Sequence, residues 1–287
     1  MRPGDRRLYA FIHIEKTAGR TVRAALLRSF GAGHCDIRTP YGRREDESRD
    51  RRVPISADDL RRVQWIYPDL RGIAGHNVKP YMDLYEARPD LRFFTFLREP
   101  VARYLSHYKN RARAYTREDF DRWADAGWTS DWQTRMIAGE PSLQRAIDLL
   151  GERVGFVGFT ETFDESMLQL QQWLGEPAFR PEYRPANRLE GKNRARDAAR
   201  HQTDLSYLES PHVLARLQEC NALDLQLYEF ARRELQPRQR AAYAGDLQAD
   251  IAALRERNRM LEPWREPWSS RLRRNGKYKL ARLLRVV

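Results

Sequence analysis

The chain is short of several things, and each shortage removes a class of protein. It holds two cysteines in 287 residues, Cys35 and Cys220. They offer no metal-ligand spacing and no disulfide framework, so ordinary packed thiols in a reducing compartment are expected. No apolar run approaches the roughly 20 residues of a bilayer crossing. With 32% charged residues and a mean hydropathy of −0.79, the chain reads as soluble. No recognised nucleic-acid module appears, so no nucleic-acid partner is expected. Leu8 to Ile14 runs into a charged loop and not into a small-residue cleavage site. A signal peptide is therefore not expected, and the chain is read as cytoplasmic, with peripheral contact at the inner membrane surface left open.

What is present fits one substantial α/β domain with extensions. Two apolar runs each end in a short polar cluster: Leu8 to Ile14 before Glu15-Lys16-Thr17-Ala18-Gly19-Arg20-Thr21, and Leu91 to Leu97 before Arg98-Glu99-Pro100 and the segment to Tyr108. Each reads as a buried strand feeding a loop and then a helix, an arrangement that sets helix N-termini and a cation against an anion. Two such sites on one sheet point to a ligand with phosphates at both ends. The spacing predicts further strands at Leu70 to Ala74 and Val154 to Phe159. Helices are predicted at Thr21 to Phe30, Ala57 to Trp65, Pro80 to Ala87, Val101 to Tyr115, Glu161 to Leu174 and, with turns, across Arg117 to Leu150 and Asp204 to Leu235. Gly31 to Pro54 reads as an exposed excursion and Pro177 to Thr203 as a long polar loop. Strands alternating with helices predict a central, mainly parallel sheet flanked by helices, with the ligand beyond the carboxyl ends of the strands.

Beyond Pro237 the character changes. Leu247, Ile251, Leu254, Asn258 and Leu261 form a short heptad seam, open both to self-association as a homodimer and to packing back on the domain. Residues 263–287 carry eight Lys/Arg against one acidic residue, so +7 of the net +12 sits there. Together with Trp264, Trp268 and Leu272, these cations suit either a membrane-surface helix or a solvated tail.

Lys16 lies between a strand and a helix start, where backbone N–H groups are unpaired and the dipole is positive. It precedes its glycine and no Gly-Lys-Thr follows, unlike the nucleotide-hydrolase loop G-x-x-x-x-G-K-[ST], which argues against a standard ATPase or GTPase. Alone, this loop would equally suit an ordinary strand-helix connection.

The two clusters together resemble the paired motifs of carbohydrate sulfotransferases that use 3′-phosphoadenosine 5′-phosphosulfate (PAPS). Phe11 to Gly19 is similar to the 5′-phosphosulfate loop of the branch containing heparan sulfate 2-O-sulfotransferases and many bacterial enzymes. The usual form has Pro at the position of Glu15 and a small hydroxyl residue at that of Arg20. Leu97 to Tyr108 is similar to the 3′-phosphate motif, with Glu99 for the commoner Asp. Trp132 to Met136, Val157 to Phe163 and Leu223 to Phe230 also match family habits.

The resemblance implies a P-loop nucleotide-kinase-like sulfotransferase fold over residues 1–236, and the change of character beyond it divides the rest into a helical extension at 237–262, open to a short coiled coil, and a basic tail at 263–287. It implies PAPS as cofactor, with 3′-phosphoadenosine 5′-phosphate (PAP) as product and no metal required. The acceptor would be a hydroxyl of a carbohydrate or glycolipid. Lys16, Thr17, Ala18, Gly19, Arg20 and Thr21 would hold the 5′ end, with Lys16 also steadying the leaving phosphate. Arg98 and Ser106 would bind the 3′-phosphate. A loop closing over the nucleotide would bring Lys192 or Arg194 to a phosphate. His76, at the end of the strand from Leu70, is the expected general base. His13 is its rival within a strand, and His107 and Arg135 are assigned lesser parts. Two other readings stand beside this one: a kinase-like phosphoryl transferase on the same sheet type, and a non-catalytic protein that binds anions or membranes.

Overall fold

A computed structural model describes residues 7–37, 53–111, 116–184, 206–263 and 266–283. Five strands make one sheet: β1 (Tyr9–Ile12), β2 (His34–Asp36), β3 (Gly72–Gly75), β4 (Arg92–Leu97) and β5 (Val154–Phe159). Their order is β2-β3-β1-β4-β5 and every pairing is parallel. Parallel strands are covered on both faces, which is why β1 and β4 read as unbroken apolar runs. Alternate residues serve opposite layers. Ala10, Ile12, Phe93 and Leu97 join one core and Tyr9, Phe11, Phe94 and Phe96 the other.

The helices that position the site are α1 (Gly19–Phe30), α2 (Ala57–Ile66), α3 (Pro100–Arg111), α4 (Arg117–Asp125), α5 (Trp132–Ala138), α6 (Leu143–Glu152) and α7 (Phe163–Leu174). They are followed by α8 (Pro211–Glu219), α9 (Ala222–Phe230), α10 (Gln236–Ala241), α11 (Leu247–Met260) and α12 (Trp268–Leu283). The sequence explains many of the starts. Ser56 and Asp59 form a capping box on α2, Thr116 caps α4, Ser142 caps α6, and Ser210 with Pro211 opens α8. This is an α/β fold built on an all-parallel sheet, with a helical C-terminal region.

Three expectations need correction. Pro80 to Ala87 is not a helix; only Leu84–Glu86 forms a single 3-10 turn, because the first half of the segment is spent laying Tyr81 and Met82 against the core. The segment from Gly31 is not exposed throughout. Gly31–Gly33 is a 3-10 turn, and His34–Asp36 is the edge strand β2, which pairs with β3 and buries His34 and Cys35. Burial pushes the Cys35 thiol up to about 12, so it is packed and unreactive. The first helix begins at Gly19, two residues earlier than its hydrophobic spacing indicates. Residues 38–52, 112–115, 185–205, 264–265 and 284–287 of the predicted segments lie outside the described residues.

The heptad seam packs back on the domain. Ile251 and Leu254 are buried in the core that α1 and α7 form with the sheet, and Leu247 packs at its edge. Each such side chain contributes about 1.5–3 kcal/mol on burial. Asn258, the polar member of the seam, accepts the Tyr183 backbone N–H at 2.8 Å. Its position thus fixes the chain at 180–184, together with Arg184, whose Nε donates to the Leu261 carbonyl at 2.6 Å. The α12 helix lies beside the Gly31–Gly33 turn and α2. There Lys277 Nζ stands 5.1 Å from the Tyr67 ring centre and Arg274 pairs with Glu266. Among the described residues no helix is long and apolar enough to cross a membrane.

Candidate active site

The strand order places the site. From β1 the chain passes toward β2, whereas from β4 it passes toward β5, so the connections diverge between β1 and β4. Open sheets bind ligands at that crevice, beyond the carboxyl ends of the strands. Lys16 follows β1 and Arg98 follows β4, so the two cations flank it, and His76 follows β3 on the other side of β1.

The loop after β1 has an unusual backbone. Lys16 and Ala18 both have positive φ, 70° and 59°, a conformation uncommon outside glycine that costs on the order of 1–3 kcal/mol each and gathers at functional sites. These turns curl the loop at the N-terminus of α1, as backbone anion-binding concavities do. No side chain caps that terminus and no acidic residue occupies its first turn, which leaves the positive end of the dipole to a ligand. Thr17 is fully buried and its hydroxyl donates to the Ile14 carbonyl at 3.0 Å. That is a role in shaping the loop. Thr21 is buried in the first turn of α1, whereas Arg20 is exposed at the rim. Gly19 admits the His13 ring: a Cβ there would meet imidazole atoms at 1.9 Å.

Arg98 is tied to the same loop through Nη1, which donates to the Lys16 carbonyl at 3.2 Å. Its main chain is gripped at both groups by Gln133, whose Oε1 accepts from Arg98 N–H at 3.0 Å and whose Nε2 donates to the Arg98 carbonyl at 2.9 Å. Glu99 caps α3 by accepting the N–H groups of Val101 and Ala102, which accounts for an acid at that point in the motif. Ser106 lies in the second turn of α3, half-buried.

Gln133 is held by an arrangement that sequence reasoning missed. Asp224, fully buried near the start of α9, accepts the N–H groups of Gln133 and Thr134 and the Thr134 hydroxyl at 2.7–3.0 Å, and so caps α5. Asp131, ahead of α5, accepts the N–H groups of Leu223 and Asp224 and caps α9 in return. Both stretches are present in the sequence as short matched motifs, but nothing in either marks them as partners.

His76 is 35% exposed. Its Nδ1 is 2.6 Å from the His13 carbonyl oxygen, which can only accept, so Nδ1 carries the proton and Nε2 is left with its lone pair. This tautomer is assigned from the hydrogen-bond network. The ring stacks on that of His13 at 4.3 Å. Gly75 sets its approach, since a Cβ there would be 2.4 Å from the Ile37 carbonyl oxygen. His13 itself is buried; burial, and then the charges of His76 and Arg23, lower its pKa to about 3, so it is neutral at physiological pH.

His107 lies buried among Trp123, Trp128 and Trp132, with Nδ1 3.4 Å from Nη1 of the fully buried Arg103. Arg135 leaves α5 one turn after Trp132, half-buried. Lys192 and Arg194 lie outside the described residues.

The residues present suit an anionic ligand: the left-handed loop, the uncapped α1 and Arg98, held through its main chain by Gln133, border one crevice of a parallel α/β sheet, with a half-exposed imidazole one strand away. The chain belongs to the sulfotransferase family, whose sequence profile matches residues 5–231. That match runs from before β1 to the end of α9 and leaves α10, α11 and α12 outside it. Members of the family generally take the sulfuryl group from PAPS. No curated protein matches the chain at a significant level.

Proposed function

We propose that the chain transfers a sulfuryl group from PAPS to a hydroxyl of a carbohydrate or glycolipid, with His76 as general base. The branch would be the one that resembles heparan sulfate 2-O-sulfotransferases and bacterial carbohydrate sulfotransferases. The observation that carries the reading is the His76 geometry: a half-exposed imidazole just past the end of β3 whose Nδ1 donates to the His13 carbonyl, the tautomer that puts the lone pair on Nε2. When bound, PAPS supplies a sulfur joined through a bridging oxygen to a phosphate that leaves with the bonding electron pair. Lys16 and the N-terminus of α1 stabilise negative charge at that phosphate. Arg98, whose guanidinium suits a phosphate, would hold the second phosphate together with Ser106. His76 Nε2 takes the acceptor proton as oxygen bonds to sulfur.

Transfer of labelled sulfate from PAPS to a panel of glycans and glycolipids tests this. Lys16→Ala and His76→Ala are each expected to lose a hundredfold or more in rate. Unchanged transfer in either variant removes that residue's role. A preference for ATP with magnesium over PAP in calorimetry would instead favour phosphoryl transfer, against which the absent Gly-Lys-Thr order argues.

A lipid-associated acceptor is favoured by α12. Its packed side presents Lys277 to the Tyr67 ring and Arg274 to the charges of Asp36 and Tyr67, whereas Trp268, 77% exposed, and Leu272 and Leu280 are exposed. Arg271, Arg273 and Lys279 are exposed on the same helix, and such a surface suits an anionic membrane face. In flotation with phosphatidylglycerol vesicles, a Trp268→Ser/Leu272→Ser variant is expected to lose binding while transfer to a soluble acceptor is kept. Undiminished flotation would refute the lipid contact.

A further inference from the structure

The carboxylate of Glu15 is aimed by its neighbours. Trp132 Nε1 donates to Glu15 Oε2 at 2.8 Å, and the other oxygen, Oε1, stands 3.6 Å from His76 Nδ1. The Glu15 side chain is 18% exposed, so water screens its charge only in part. Trp132 is itself buried at the start of α5, the helix fixed by Asp224. The path from the buried scaffold to the imidazole is therefore short and built of groups with little freedom.

We propose that Glu15 is a positioning residue for His76: anchored by Trp132, its carboxylate holds the Nδ1–H tautomer and offsets the positive charge the ring acquires when Nε2 takes the acceptor's proton. The inference rests on reading His76 as the base. The proton passes from the acceptor hydroxyl to Nε2, Nδ1 keeps its own proton toward the His13 carbonyl, and Glu15 stays ionised throughout.

The surroundings make such an offset necessary. His13, stacked on the His76 ring, feels the charges of Arg23 of α1 and of Asp36 of β2, and Lys16, Lys79 and Arg98 stand in the segments that follow β1, β3 and β4. Arg103 of α3 is close enough for its charge to couple to Glu15. The cations among these that anchor an anionic donor also oppose a further positive charge on His76, and a carboxylate beside Nδ1 counters them.

Glu15→Gln keeps an acceptor for Trp132 Nε1 and removes the charge. An NMR titration of the His76 ring in the full chain, without donor, is expected to show its midpoint lowered by about one pH unit. The acid limb of the kcat/KM profile should move by the same amount. Trp132→Phe, which keeps the ring and frees the carboxylate, should move both in the same direction by less, and Glu15→Asp should restore part of the shift. An unmoved midpoint in Glu15→Gln overturns the proposal, whatever happens to the rate. A lowered midpoint combined with full transfer by His76→Ala would leave the Glu15–His76 link standing and remove the base assignment instead.

Discussion

His13 is a base that the folded chain prevents from taking a proton. Its ring is pressed between Phe11, His76 and the start of α1, and burial above all holds its pKa near 3. In the unfolded chain an imidazole takes its proton near pH 6.5. Between about pH 6.5 and 3 the unfolded state therefore binds more protons, and stability falls as pH drops, by about 1.4 kcal/mol per unit from this residue. Above that window the penalty is absent. Urea unfolding at pH 7 and pH 5 should show a loss of about 2 kcal/mol that His13→Gln largely removes. An identical loss in the variant would mean that another group drives the acid sensitivity. Neighbouring Glu15 illustrates what a single position conceals. In the sequence it is only a departure from the Pro usual at that point of the loop; its partner Trp132 lies 117 residues away, a contact that no local pattern encodes.

The helices α5 and α9 each borrow an N-terminal cap from the other's leading residues, Asp224 for α5 and Asp131 for α9. Asp224→Ala would leave two buried backbone N–H groups and a hydroxyl without their acceptor, at a cost of about 3 kcal/mol. Because Gln133 at the capped end also grips Arg98, PAP affinity should fall as well. Calorimetry beside a thermal melt checks both, and a stability loss with intact PAP affinity would uncouple the cap from the site. Legibility differed among elements for physical reasons. Buried parallel strands announce themselves as apolar runs, so β1 and β4 were plain. By contrast, β2 has three residues, two of them polar, and is a strand only because β3 is there to pair with it. The segment from Pro80 has apolar residues at helix-like spacing, but tertiary packing uses them without helix.

In the molecule as a whole, the strand ends that hold Lys16, His76 and Arg98 could be read because sheet topology follows from alternating elements and fixes where ligands sit. The extension could not be settled from spacing alone. A seam of Leu247, Ile251 and Leu254 suits a second chain or the chain's own core equally well, and only the apolar surface left by α1 and α7 decides it. Asn258, which would set register in a coiled coil, instead holds the backbone at Tyr183. The crossed caps also impose an order of assembly. All five strands are complete once Phe159 has been made, yet the clamp on Arg98 awaits Asp224, 65 residues later in the chain. A growing polypeptide can thus close its sheet while the main-chain clamp on Arg98 still lacks its support, which arrives only with the last helices of the domain.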